Sequence, residues 1–103
     1  MPTYNKLVRD KIPEILKEQK KDFYYHVANR EEYTQKLKDK LVEEVNEFLI
    51  EPSVEELADI QEVIYALLDN MDESQSSLAI VQGEKAASRG AFRMGYILEY
   101  VVD

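Results

Sequence analysis

Tyr33, Leu37, Leu41, Val45 and Phe48 recur at helical spacing. Asn29 stands three residues before Glu32, the spacing of a capping-box-like start. Together they predict a long helix that begins just after Asn29 and runs to about Ile50. Pro52 and Ser53 interrupt it, and Val54, Leu57, Ile60, Val63, Ile64, Leu67 and Leu68 then mark another helix ending near Asn70. So short a link forces the two to pack antiparallel as an αα-hairpin. Upstream, KIPEILKEQK follows Asp10 and predicts a short helix over about Lys11 to Lys20, with Pro13 tolerated in its first turn. Downstream, Asp72, Glu73 and Ser74 lead into a helix through Leu78, Val81 and Ala86, closed by Gly90. Gly83 weakens its middle by about 1 kcal/mol relative to Ala.

Two segments break the helical period. DFYYHVAN, residues 22–29, is rich in aromatic and β-branched side chains and too short for an independent helix, so it reads as a strand. The only comparable segment is MGYILEYVVD at residues 94–103, and pairing the two would tie down the tail. The fold expected is mainly α: four helices with a small antiparallel two-stranded ribbon, in a single domain over residues 1–103. Repeats, low-complexity tracts and dividing linkers are absent from the sequence.

Within the hairpin, four carboxylates fall where a core-forming helix has no ordinary use for them. At about 100° per residue, Glu44 sits at the edge of the arc of Leu37, Leu41, Val45 and Phe48, and Glu47 lies one step further round. Glu56 projects between the directions of Val63 and Leu67, with Asp59 flanking the same side. Glu43, Glu55 and Glu62 are expected to face water. Between Leu41 and Asp69 no Lys or Arg shares the arc, so ionised carboxylates there would be costly unless hydrogen-bonded or bound to a metal. Each pair is spaced i, i+3, and the tight hairpin is expected to gather them into one cluster of oxygen ligands suited to Mg²⁺ or Mn²⁺. A second reading stands beside it. Ser53 to Glu56 is also a capping-box spacing, so Glu56 could reach back to the backbone at its helix start.

Composition narrows the partners. The 103 residues hold 13 basic and 21 acidic side chains, a formal charge of −8, so a nucleic acid would meet an unfavourable field. Polyphosphates remain accessible if the carboxylates first collect Mg²⁺. Cysteine is absent, which removes disulfides, thiolate zinc sites and Cys nucleophiles and suits a reducing cytoplasmic setting. No apolar run approaches about 18 residues and the opening stretch is charged, so a soluble chain with no membrane partner is expected.

Glu44 to Glu47, EVNE, followed by Glu56 to Asp59, ELAD, resembles the E-x-x-E … E-x-x-D signature of the all-α nucleoside triphosphate pyrophosphohydrolases, the MazG-like and phosphoribosyl-ATP pyrophosphatase-like proteins. YNKLVRDKIPEI and EKAASRGAF also resemble stretches of a small branch of that superfamily, so the likeness spans most of the chain. It implies that Glu44, Glu47, Glu56 and Asp59 hold Mg²⁺ while water attacks a nucleotide's α,β-phosphoanhydride, leaving a monophosphate and pyrophosphate. It also implies a house-cleaning role and a homo-oligomer, dimer or tetramer, with active sites near subunit interfaces. The run EVNEFLIEPSVEELAD, which holds both half-motifs, is shorter than in most of the family; a distorted helix start would leave Glu56 capping rather than coordinating.

For that chemistry the proton acceptor is Glu47 or Glu44. Lys85 and Arg89, spaced i, i+4, could meet phosphate oxygens or simply answer a helix C-terminus. Lys6, Arg9 and Lys11 form a second basic group, read either as phosphate contacts or as an ordinary basic arm. Tyr65 is the tyrosine best placed to touch a base, against ordinary helix packing. His26, the only histidine, reads as an exposed or edge residue. No glycine-rich phosphate loop is present. Two further readings remain open: a catalytically silent helical interaction module, and a nucleotide- or metal-responsive regulator.

Overall fold

The computed structural model describes residues 4–103. Its helices are α1 (Ile12–Glu18), α2 (Arg30–Ile50), α3 (Val54–Asn70) and α4 (Gln75–Arg89). Three begin at side-chain caps. Asn29 accepts from the Glu32 N–H at 2.9 Å, Ser53 from Glu56 at 3.1 Å and Ser74 from Ser77 at 3.0 Å, each satisfying a donor that the first helical turn leaves without a partner. α1 differs. Asp10 does not cap it; Lys11 occupies the cap position without a side-chain bond, and Pro13 stands in the first turn. α1 also stops before Lys20, because the Lys20 and Lys21 N–H groups turn back to the Lys17 and Leu16 carbonyls at 3.0 and 3.1 Å around a left-handed Lys20 (φ 56°).

Two compact units divide the chain, Met1–Asp72 and Glu73–Asp103. In the first, α2 and α3 form the expected antiparallel hairpin. Glu51 leaves the helical region (φ −138°, ψ 84°), as steric conflict with the Pro52 ring requires of a residue before proline. Ser53 then restarts the chain. At the other end Thr34 Oγ1 donates to Asn70 Oδ1 at 3.2 Å and Arg30 donates to the Asn70 carbonyl at 3.4 Å, fixing the start of α2 beside the end of α3. Leu37 and Val63 are the buried apolar centre of this hairpin. The core is thin, and among the described residues the third buried side chain is Glu44.

The second unit holds α4, which ends at Gly90 in a positive-φ conformation (83°) that favours glycine, and the chain that follows. Leu78, Ile80 and Val81 are exposed on α4. Among the described residues there is no strand, so the predicted ribbon of residues 22–29 with 94–103 is not formed. The two segments lie in separate units, and a lone two-stranded ribbon is marginal in water without a further layer to cover it. Instead Phe23 and Tyr25 stack on each other, ring centroids 5.8 Å apart, and Tyr24, Val27, Tyr96 and Ile97 face solvent. No described helix is long and apolar enough to cross a membrane.

Candidate metal centre between two helices

Facing turns of α2 and α3 bring Glu44, Glu56 and Asp59 together, with one carboxylate oxygen of each within 4.8 Å of the others. Helical spacing does the local work: Glu56 and Asp59 are one turn apart, and the hairpin sets that turn against Glu44. Glu47 does not complete this triplet. It is exposed and groups with Glu44 and Glu43 within the same 4.8 Å limit, so Glu44 is common to both sets.

Burial and hydrogen bonding distinguish Glu44 and Glu56 from surface acids. Glu44 is only 6% exposed, and its Oε2 is buried with no hydrogen-bond partner. Glu56 Oε2 is buried and unpartnered as well. The Glu56 backbone N–H is capped by Ser53, but no bond returns from the Glu56 carboxylate to the Ser53 N–H, so only half of a capping box forms. An orphaned buried carboxylate oxygen is costly, and a cation between these groups would relieve both at once. The donor set is all oxygen, which fits a hard divalent ion such as Mg²⁺ or Mn²⁺.

Three cations border the cluster. Arg9 donates to Asp59 at 2.6 Å, Lys6 to Glu43 at 3.0 Å, and Lys40 Nζ lies 3.5 Å from both Glu43 and Glu44. Burial pushes the Glu44 carboxyl above its ordinary range, with the Glu47 and Asp59 charges adding and Lys40 opposing. Glu43 moves the other way: the hydrogen bond from Lys6 holds it low, and the same bond raises Lys6. Glu43 therefore does not point simply to water as expected. Lys40 is the neighbour that the sequence reading passed over; it stands one residue before Leu41, and its i, i+4 relation to Glu44 was the available signal.

Of the remaining candidates, Tyr65 accepts from Gln61 Nε2 at 2.7 Å on the surface of α3. Lys85 and Arg89 are exposed on α4, in the second unit. His26 pairs with Glu32 at 2.9 Å on the exposed surface, away from any role in this cluster. Recesses lined by Asn29, Glu32 and Lys36, and by Asp10, Pro13 and Phe23, do not include the cluster. In comparison with known proteins, no family model, curated protein or solved structure matches the chain.

Proposed function

We propose that Glu44, Glu56 and Asp59, with Glu47 at the rim, bind Mg²⁺ or Mn²⁺ and that the chain is a nucleotide pyrophosphohydrolase. Its reaction is nucleoside triphosphate plus water giving a nucleoside monophosphate and pyrophosphate. The observation that carries the reading is that Glu44 and Glu56, whose carboxylates come together across the hairpin, each keep a buried oxygen without a hydrogen-bond partner. The resemblance of EVNE and ELAD to the pyrophosphohydrolase signature supports the bond cleaved. When bound, the cation neutralises charge developing on the leaving pyrophosphate.

The chain's own groups divide the rest of the work. Glu47 is exposed beside Glu44, so it can take the proton of an attacking water and return it to solvent. Glu44, buried and 3.5 Å from Lys40, is better placed to hold a ligand than to exchange protons with water. Tyr65, on α3 of the same unit, is assigned to the base. A homo-oligomer completes the pocket, in keeping with the thin core and the exposed apolar side chains of α4 and the tail.

Incubation with a broad nucleotide panel and Mg²⁺ or Mn²⁺ tests this directly. Pyrophosphate and a matching monophosphate are the expected products, abolished by chelation. Orthophosphate alone, or no product from any nucleotide, contradicts the assignment.

A further inference from the structure

Residues 5–9 are tied to both helices of the hairpin. Lys36 of α2 donates to the Asn5 carbonyl at 2.6 Å, Lys6 reaches Glu43 of α2, and Arg9 reaches Asp59 of α3. The segment therefore carries one cation onto Asp59 of the candidate centre and a second onto Glu43 beside Glu44, and its backbone is anchored independently of them through Lys36. Both cationic side chains remain about half exposed, 48% for Lys6 and 58% for Arg9, so each can turn without unpacking anything.

These contacts set up a competition. Asp59 cannot give its charge fully to a divalent ion while Arg9 sits 2.6 Å away, and a cation beside Glu44 and Asp59 repels both Lys6 and Arg9. A polyphosphate arriving with that cation offers the released groups more negative charge than a single carboxylate does, and its oxygens suit the guanidinium fork. We propose that Lys6 and Arg9 exchange partners: they hold Glu43 and Asp59 in the protein alone and transfer to phosphate oxygens when a divalent cation enters, so that cation and polyphosphate bind cooperatively. The inference rests on the cation-centre reading above and assigns to residues 5–9 the part of a phosphate clamp. By reciprocity each ligand raises the affinity of the other by one factor.

The test is a comparison of the native protein with the Lys6→Ala/Arg9→Ala double variant in two titrations. Free Mn²⁺, followed by its paramagnetic resonance signal, reports cation binding alone; calorimetry with inorganic tripolyphosphate at saturating Mn²⁺ reports the phosphate site. The double variant is expected to bind Mn²⁺ alone about 5-fold more tightly, because Arg9 no longer competes for Asp59 and the neighbouring positive charge of Lys6 is gone. It is expected to bind tripolyphosphate about 10-fold or more weakly, because charge-assisted bonds are lost. Lys38→Ala, which removes an exposed charge elsewhere on α2, controls for the general field and should change either constant by less than about 2-fold. Unchanged Mn²⁺ affinity, or tripolyphosphate affinity unchanged or increased, overturns the exchange while leaving the cation centre intact. Failure of the native protein to bind Mn²⁺ removes both readings.

Discussion

Glu44 carries the main electrostatic tension of the hairpin. Burial first, and the Glu47 charge second, hold its carboxyl above the ordinary value of 4.5, so the folded chain keeps a proton in a pH window where the unfolded chain has released it. Stability attributable to this group is therefore present at low pH and falls as pH rises through the window above that value. Glu44→Gln removes the penalty. In urea denaturation with a chelator present, the variant should be more stable than the native chain at neutral pH, with the difference shrinking toward the ordinary carboxylate range. A less stable variant at neutral pH would mean that the Lys40 contact outweighs burial. The arc positions of Glu44 and Glu56 were legible from helical period alone. Glu43 was not, because the period places a residue on a face but says nothing of which distant chain will cover that face; Lys6, 37 positions away, does so.

Caps and turns decide the elements. Asn29 and Ser53 cap the helices that their spacing predicts, and Ser74, which leads into α4, caps it. These signals are local, so a single sequence suffices to read them. Ser53→Ala is expected to cost about 1 kcal/mol in chemical denaturation, the usual loss for a capping hydroxyl. No loss would mean that the Pro52 turn alone starts α3. The ribbon was legible only as strand-forming composition: residues 22–29 and 94–103 have the side chains of strands, but pairing is a long-range property that composition does not encode. The end of α1 failed for a different reason. Its helical pattern continues through Lys20, yet the chain closes in a left-handed turn at a lysine, where sequence reasoning looks for Gly or Asn.

At the scale of the molecule, the apolar centre of one hairpin is small for 103 residues, and Phe92, Tyr96, Ile97 and Leu98 are each at least 80% exposed. The proposed homo-oligomer would cover such side chains. The homo-oligomer in the proposed function is expected to appear in light scattering as an integral multiple of 12.0 kDa. A monomer that remains folded would leave the pocket to one chain and contradict that part of the account. The claim on which function depends is that Glu56 coordinates a cation rather than capping its own helix. Pyrophosphate release with Mg²⁺, measured for the native chain, Glu56→Gln and Ser53→Ala at matched helical content, separates the two roles most directly. Glu56→Gln is expected to abolish release while folded, whereas Ser53→Ala loses stability but retains turnover. Full activity in Glu56→Gln would contradict the coordinating role.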